Sequence, residues 1–345
     1  MKKILLIFSQ YRVGERIFPT IPRLSNRYNL DCLLVYQMKS THRWVGNEDL
    51  RNHFHKNYKD FFNTITEDRN RLDYKSYDLI ISDDNRHSTK TKLWEIYDNR
   101  KSNMIGCYHG AGERWNNKQF FEKTQGRVYD YTFVMGQDDC KKNYCIPIGI
   151  PSNDNLKNMK MNPKHILLIV NFLGNITSVI GNQPFPVTFD KKLVNNIDLV
   201  ELQKIHKLPF IIKLKSRDGE GKNQIKNNSD YIKSIMPDVD YNIVVDTNDL
   251  DNLIVDSKLI ISAPSTLAYK PIQLGIPTIL IEGSGQIGNF GMFKGLVKND
   301  KEKIKDKINN MLDDSKDEVF IDTVIEGGSK FESTDVFMKR VEELI

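Results

Sequence analysis

Short apolar segments recur along the chain, and each of them ends in a polar or glycine-containing turn. The first is KILLIFS at 3–9, and the next three are YDLIISDD at 77–84, NMIGCYHG at 103–110 and YDYTFVMG at 129–136. Continuous apolar runs of this length are typical of strands that are buried on both faces. Because segments of helical length separate them, the pattern predicts a parallel sheet built from strand-helix-strand units.

A second series of such segments follows IPIGIPSND at 146–154, which we interpret as a hinge. Its strands are predicted at HILLIVNF (165–172), PFIIKLKS (209–216), YNIVVD (241–246), KLIISAPS (258–265) and PTILIEGS (277–284), with helices at 305–314 and 335–345. The prediction is an α/β protein with two doubly wound, Rossmann-like domains facing a cleft. The first domain would comprise 1–150 and the second 151–345, with its last helix packing back on the first. In such sheets ligands bind beyond the carboxyl ends of the strands.

The positive charge of the chain is concentrated in its first part. Residues 1–150 contain 25 Lys and Arg against 18 Asp and Glu, a net charge of +7, whereas the remainder carries −2. A one-sided positive field attracts anions, so we expect an anionic partner at the first domain, with Arg12, Arg16 and Arg43 as contacts. The alternative is a solvated surface rich in lysine.

The sequence disfavours a membrane-spanning or secreted protein and a zinc or redox site formed by cysteines. No apolar run approaches the roughly 18 residues that span a bilayer, and KKILLIF is too short for a signal peptide, so we expect a cytosolic protein. The four cysteines are scattered without C-x-x-C spacing, which indicates reduced thiols. The Asp-x-Asp pair of Asp238 and Asp240 precedes its strand rather than standing at a strand end, so no metal ion and no cofactor are expected.

The segment at 258–265 passes from a strand into a turn, and the hydroxyl residues Ser262, Ser265 and Thr266 lie at this transition. Hydroxyl groups and backbone N–H groups at the start of a helix can hold a phosphate, and here we expect a diphosphate. The alternative is an ordinary N-cap, in which Ser265 accepts a hydrogen bond from the helix it precedes.

Cations stand near the carboxyl end of the preceding strand in PFIIKLKSRDG. Lys213 and Lys215 have the alternation that places two side chains on one face of a strand, and Arg217 follows them. Together they would neutralise a leaving diphosphate. Alternatively, they are the solvated lysines of an edge strand.

Three residues of the first domain are candidates for the catalytic base. His109 and Glu113 lie in CYHGAGERW, and Asp83 lies in ISDDN, each at the predicted end of a strand. Deprotonation of a hydroxyl group needs an imidazole or a carboxylate, and the sequence does not choose among the three. Alternatively, His109 only satisfies a local turn.

The segment DTNDLDNLIVDSKLIISAPSTLAYKPIQLGIP resembles the nucleotide-sugar-binding half of GT-B-fold glycosyltransferases and UDP-N-acetylglucosamine 2-epimerases. It is also similar to the CDP-glycerol-type polymerases of teichoic acid and capsule synthesis. The resemblance covers about 50 residues around Ser265 and Thr266, and it implies that they bind a nucleoside diphosphate. Where those families have a ribose-binding glutamate, this chain has Lys270, and Glu282 is the carboxylate that could replace it.

The loop GSGQIG, which contains Gly285, fits the G-x-G-x-x-G pattern of a dinucleotide-binding turn. A nicotinamide site expects that pattern after the first strand, with an acidic residue about 20 positions later, and neither condition is met. We expect instead that Gly285, with Asn289, Phe290 and Lys294, lies near the sugar or the acceptor. A purely structural glycine loop is the alternative.

These observations predict a metal-independent glycosyltransferase that uses a nucleoside diphosphate sugar, most simply a UDP-sugar. Its acceptor would be a polyanion, for which hydroxymethylated, phage-type DNA is one choice and a teichoic acid or capsule precursor another. A nucleotide-sugar 2-epimerase, which needs no acceptor, is the enzymatic alternative. A binding subunit that has lost activity is the non-enzymatic one, and Lys270 is the residue that supports it.

Overall fold

The computed structural model describes residues 1–9, 14–35, 47–83, 93–108, 129–137, 144–170, 189–214, 229–244, 249–282 and 288–345. These residues form two compact units. The first unit is Met1–Asn155 together with Asp322–Ile345, and the second unit is Leu156–Ile321. The chain therefore passes from the first unit to the second at residue 155, and its last segment belongs to the first unit.

The first unit contains a seven-stranded sheet in the order β3-β2-β1-β4-β5-β6-β7. Its strands are β1 (Lys3–Phe8), β2 (Asn29–Leu34), β3 (Thr64–Thr66), β4 (Leu79–Ser82), β5 (Asn103–Cys107), β6 (Tyr131–Val134) and β7 (Cys145–Pro147). Every neighbouring pair is parallel. β1 lies between β2 and β4, and Ile4, Leu5 and Phe8 are completely buried, as a central strand covered on both faces requires.

The second unit contains a six-stranded parallel sheet in the order β10-β9-β8-β11-β12-β13. Its strands are β8 (His165–Val170), β9 (Phe210–Leu214), β10 (Tyr241–Val244), β11 (Ser257–Ser262), β12 (Thr278–Glu282) and β13 (Leu296–Lys298). In both sheets the strand order reverses beside the first strand, as in the doubly wound Rossmann arrangement. The predicted fold class is confirmed.

Helices connect the strands. The α-helices with both ends described are α1 (Ile21–Ser25), α2 (Asn47–Asn57), α3 (Leu93–Asn99), α4 (Lys191–Ile197), α5 (Leu199–His206), α6 (Leu250–Val255), α7 (Tyr269–Gln273), α8 (Lys301–Asp313), α9 (Glu318–Val324) and α10 (Ser333–Leu344). Residues 229–235 are also helical. The 3₁₀ helices are Phe18–Thr20, Lys59–Phe61, Arg69–Arg71, Tyr74–Ser76, Pro151–Asn158, Thr266–Ala268 and Gly288–Met292. No described helix has the length and hydrophobicity needed to cross a membrane.

Several elements differ from the sequence-based expectation. The structure adds β2, β3, β7 and β13, and β13 follows the GSGQIG loop, so that loop does not come after the last strand. The expected hinge at 146–154 is regular structure: its first residues belong to β7, and its last ones to the 3₁₀ helix Pro151–Asn158. Pro147 fits in β7 because this strand lies at the edge of its sheet.

The C-terminal segment is held to the first unit at the start of α10. Asp154 accepts hydrogen bonds from the backbone N–H groups of Ser333, at 3.2 Å, and Thr334, at 2.6 Å. Burial raises the pKa of the Asp154 carboxyl, although these hydrogen bonds act in the opposite direction. Gly149 packs against the same turn with a φ of +72°, and an added Cβ atom would lie 2.1 Å from Ser333 Oγ. Only glycine fits there.

Candidate functional site

The second sheet has its topological switch point between β8 and β11. From this point the chain proceeds to β9 on one side and to β12 on the other, which leaves a crevice at the carboxyl ends of β8 and β11 where doubly wound proteins bind ligands. A recess lies at this position, lined by Leu168, Ile169, Val170, Phe189, Leu193, Ile197, Ile261, Ser262, Ala263 and Ile281. Its lining is apolar except for Ser262, whose hydroxyl donates to the carbonyl of Ala263 at 2.8 Å.

Ser265 follows the end of β11 and precedes the 3₁₀ turn Thr266–Ala268. Its carbonyl accepts a hydrogen bond from Ala268 N at 2.9 Å, but its side chain makes no capping hydrogen bond. Ser265 Oγ is buried, and it has no hydrogen-bond partner among the described residues. The interpretation of Ser265 as an ordinary N-cap is therefore wrong. Leaving a buried hydroxyl unpaired costs about 1–3 kcal/mol, so the position calls for another explanation.

The helix expected after Ser265 is shorter than a typical one. Thr266 opens a three-residue 3₁₀ turn, and α7 continues it for five residues. A helix of this length carries only a small dipole, because few peptide units add up. Side chains and individual N–H groups must therefore supply most of any attraction for an anion at this turn.

Lys270 and Glu282 lie on either side of this turn. Lys270, in the first turn of α7, donates from Nζ to Asp251 Oδ1 of α6, and its side chain is 20% exposed. Glu282 ends β12 and is half-buried. No hydrogen bond or ion pair joins its carboxylate to the described part of the chain. In the β12/β13 register Glu282 lies opposite Lys298, and it lies two residues beyond Leu280, the last residue of β12 that pairs with β11.

Lys213 lies on β9, next to the last residue of that strand, and is half-buried. Its register partners are Ile169 on β8 and Val244 on β10. β9 is therefore an interior strand, and the interpretation of these lysines as belonging to an edge strand is wrong. Lys215 and Arg217 lie outside the described residues.

Asp83, one of the three candidate bases, is 1% exposed. Its Oδ2 accepts from the backbone N–H of Ser9 at 2.9 Å, and its Oδ1 accepts from Ser9 Oγ at 2.9 Å. The carboxylate thus joins the carboxyl ends of β1 and β4, at the switch point of the first sheet, and both of its oxygens are engaged. His109 and Glu113 lie outside the described residues.

Arg16 contacts the backbone that leads into His109. Its Nη1 donates to the carbonyl of Tyr108 at 3.0 Å, and its guanidinium lies over the Tyr108 ring, 5.1 Å from the centroid. This guanidinium is thus engaged within its own unit rather than presented to an acceptor. Arg12 and Arg43 lie outside the described residues.

Other arginines that contribute to the positive charge of the first part are also paired. Ion pairs join Arg23 to Asp335, Arg27 to Glu342, Arg51 to Glu67, Arg69 to Glu95, Arg71 to Asp68 and Arg100 to Asp130. Phe18, an aromatic residue of the same part of the chain, is buried between Phe8 and Phe54. These pairs reduce the surface field that an anionic acceptor would meet.

The glycine-rich loop is only partly described, since Gly285 lies outside the described residues. Phe290 is buried and stacks on Tyr269 with the ring centroids 4.6 Å apart. Lys294 pairs with Asp314 at 2.9 Å and donates to the carbonyl of Lys316 at 2.5 Å. Both side chains therefore make stabilising contacts within the second unit.

Two further features of the described residues bear on chemistry. Cys32, Cys107 and Cys145 are buried free thiols, and burial raises the pKa of Cys32, with the nearby Asp83 and Asp31 adding to the effect. Within the ranges that the structure describes, no three His, Cys, Asp or Glu side chains are grouped closely enough to hold a metal ion.

Solved structures with the same fold are numerous, although no protein-family model and no curated protein matches the chain. UDP-GlcNAc 2-epimerase from Methanocaldococcus jannaschii is 12% identical, with a TM-score of 0.63 over 99% of each chain. A glycosyltransferase from Rickettsia africae ESF-5 is 12% identical, with a TM-score of 0.58 over 99% of this chain and 98% of that one. HepE from Anabaena, solved with UDP and glucose, is 12% identical, with a TM-score of 0.59 over 100% and 99%. At this identity the likeness establishes the fold: the two-domain GT-B arrangement that the sequence predicted.

Proposed function

We propose that this protein is a glycosyltransferase that uses a nucleoside diphosphate sugar, with the donor bound at the carboxyl ends of β8, β11 and β12 in the second unit. The observation that carries the proposal is the buried, unpaired hydroxyl of Ser265 beside the switch point of the sheet. A phosphate oxygen is the strong acceptor that this hydroxyl lacks. The same fold is found in proteins solved with UDP and with UDP-GlcNAc, which supports a nucleotide-sugar ligand.

The donor-binding roles follow from the positions around the turn. Ser265 and Thr266 would hold the diphosphate through their hydroxyls and the N–H groups of the turn. Lys213, with Lys215 and Arg217 after it, would neutralise the diphosphate as it leaves. Glu282, at the end of β12 and without an ion pair in the described residues, would accept hydrogen bonds from hydroxyls of the donor.

The acceptor side of the proposal is assigned to the first part of the chain. Because both oxygens of Asp83 are engaged by Ser9, we assign deprotonation of the acceptor hydroxyl to His109 or Glu113. We propose a hydroxyl-bearing polyanion as the acceptor. The ion-paired arginines give DNA no support over a cell-surface polymer precursor, so the choice between the two is left to experiment.

The donor site is tested with Ser265→Ala and a matched control, Ser257→Ala. Ser265→Ala removes an unpaired hydroxyl, so we expect stability to be unchanged or raised while the affinity for UDP falls about tenfold. Ser257 Oγ donates to the carbonyl of Leu253 at 2.8 Å, so Ser257→Ala should lower stability by about 1 kcal/mol and leave UDP affinity unchanged. Isothermal titration calorimetry and urea unfolding measure both quantities. Equal UDP affinity in wild type and Ser265→Ala would remove the basis of the proposal.

The reaction class is tested by product analysis. The protein is incubated with UDP-GlcNAc and with UDP-glucose, alone and with hydroxymethylated duplex DNA or a teichoic acid precursor. A transferase releases UDP only when an acceptor is present. Conversion of UDP-GlcNAc to its 2-epimer without any acceptor would instead establish the epimerase alternative. If DNA is the acceptor, its binding will weaken steeply with salt.

A further inference from the structure

α10 runs along the first sheet from its carboxyl edge to its amino edge. The carbonyl of Leu344, the last residue of the helix, accepts a hydrogen bond at 3.2 Å from Asn103, which begins β5. Phe337, in the first half of the helix, packs on Phe133 of β6 with the ring centroids 5.4 Å apart. The segment that leads into α10, residues 325–331, therefore lies at the carboxyl edge, where doubly wound sheets bind ligands. We call it the C-terminal turn.

The C-terminal turn is docked on the residues that follow β6 and β7. The carbonyl of Met135, directly after β6, accepts hydrogen bonds from the N–H groups of Gly149 and Glu326, each at 2.9 Å. An added Cβ atom at Gly136 would lie 2.5 Å from the carbonyl oxygen of Val324, and one at Gly149 would lie 2.2 Å from that of Glu326. Backbone packs on backbone at both positions, so the placement of the turn requires glycine there.

The C-terminal turn also adjoins the end of β5. Tyr108, directly after β5, donates from its hydroxyl to the carbonyl of Gly149 at 3.1 Å, and Gly149 is the residue against which Glu326 packs. Tyr108 precedes His109 in the chain, and His109 is one of the two residues to which we assign deprotonation of the acceptor. The turn is therefore next to the strand end that the proposed function gives to the acceptor.

The C-terminal turn contains a residue in a strained conformation. Glu332 N donates to the carbonyl of Gly327 at 2.9 Å, and Phe331 N donates to that of Gly328 at 3.2 Å. These two hydrogen bonds define a Schellman motif, in which the residue with positive φ is usually glycine. Here that residue is Phe331, with a φ of +55°. A bulky side chain is uncommon in this conformation, and such strain concentrates at functional sites. The Phe331 side chain is half-buried.

The carboxylate of Glu326 has acceptor capacity to spare. Its one hydrogen bond to the described part of the chain is long, because Nε2 of the exposed Gln137 donates to Oε2 at 3.4 Å. No ion pair within the described ranges neutralises it, and the residue is half-buried. A carboxylate accepts hydrogen bonds from hydroxyl groups and repels phosphate groups. The ligand group that fits this position is therefore a hydroxyl.

We propose that Glu326 and Phe331 belong to the acceptor site: Glu326 accepts hydrogen bonds from hydroxyl groups of the acceptor, and the ring of Phe331 contacts its carbon atoms. This proposal rests on the proposed function and extends the acceptor site to a segment near the end of the chain. The charged groups of a polyanionic acceptor would then lie elsewhere, and its hydroxyl-bearing part would face this turn.

The experiment measures UDP release from UDP-GlcNAc and UDP-glucose, with a glycerol phosphate oligomer or hydroxymethylated duplex DNA as the acceptor. Glu326→Ala should raise the KM for the acceptor about tenfold and leave the affinity for UDP within about twofold of wild type. Its midpoint of urea unfolding should be unchanged, because the carboxylate makes only the long hydrogen bond to Gln137. Glu332→Ala is the matched control: it removes the exposed carboxylate at the N-cap of α10 and should leave the KM within about twofold.

Two replacements of Phe331 separate its ring from its backbone. Both Phe331→Gly and Phe331→Ala remove the ring, so each should raise the KM for the acceptor by the same factor, at least about threefold. Phe331→Gly should unfold at a higher urea concentration than Phe331→Ala, because glycine adopts positive φ without strain.

The proposal is overturned if Glu326→Ala has a wild-type KM for the acceptor, or if Glu332→Ala raises the KM equally, since the effect would then be one of net charge. It is also overturned if both Phe331 variants keep the wild-type KM. In each of these cases wild type still binds UDP and transfers the sugar, so the proposed function stands. If wild type releases no UDP with either acceptor, the proposed function fails, and this proposal fails with it.

Discussion

Replacing Asp83 tests whether its carboxylate stabilises the fold or acts as the catalytic base. Its carboxylate accepts two hydrogen bonds from Ser9, each 2.9 Å long, and the residue is 1% exposed. Hydrogen bonds to a charged group contribute about 1.5–3 kcal/mol each, so Asp83→Ala should lower the free energy of unfolding by about 3–6 kcal/mol. In a unit of this size, about 2–4 °C of melting temperature is lost per kcal/mol, which predicts a drop of about 6–24 °C.

The assay is calorimetric and urea-induced unfolding of the full chain, with Ser9→Ala and the double variant completing a double-mutant cycle. Ser9→Ala keeps the backbone N–H bond and loses only the hydroxyl, so it should cost about 1–2 kcal/mol. The cycle should then show a coupling of about 1–2 kcal/mol, because removing Asp83 leaves the hydroxyl without its acceptor. This reasoning is refuted if Asp83→Ala has a free energy of unfolding within about 0.5 kcal/mol of wild type and yet abolishes sugar transfer. Asp83 would then again be a candidate for the catalytic base.

Three other predictions concern stability. Burial lowers the pKa of His165, so at mildly acidic pH the unfolded chain binds a proton that the folded chain does not. The free energy of unfolding should therefore fall as the pH drops below about 6.5. His165→Asn should make this fall shallower, as measured by urea unfolding at a series of pH values. Gly149→Ala should lower the free energy of unfolding by more than twice as much as Gly275→Ala, as measured by urea unfolding. Both have positive φ, but an added Cβ at Gly149 lies 2.2 Å from Glu326 O, whereas at Gly275 the nearest atom is 3.8 Å away. Phe290→Ala should cost about 3–5 kcal/mol and leave UDP affinity within twofold; unchanged stability with lost affinity would place Phe290 in the donor site after all.

The sequence predicts those strands whose burial is visible as an uninterrupted apolar run. β1 and β8 are such strands, and both are central in their sheets. β2 was missed because Asp31 interrupts its pattern. This carboxylate is buried, and its Oδ2 is paired with Lys3 at 2.9 Å and accepts from Tyr77 at 2.7 Å. These partners come from distant parts of the chain, so local periodicity could not reveal that one oxygen of this carboxylate is paired inside the sheet.

The candidate site, like the strands, could be predicted only where a local sequence pattern marks it. The hydroxyl turn at Ser265 could be found because it is a local pattern after an apolar strand. That its hydroxyl makes no cap, and that Lys270 pairs with Asp251, depends on how α6 and α7 pack together, which local sequence does not specify.

Both sheets reverse their strand order beside their first strand, but the polar groups at the two switch points differ in their hydrogen bonding. At the first, Asp83 bridges β1 and β4 through Ser9, so the polar groups there already satisfy one another. At the second, an apolar recess stands beside β8 and β11, and the nearby Ser265 hydroxyl is buried without a partner in the described residues. A ligand that supplies an acceptor would complete the hydrogen bonding of the Ser265 hydroxyl, and this supports the proposal that the donor binds to the second unit.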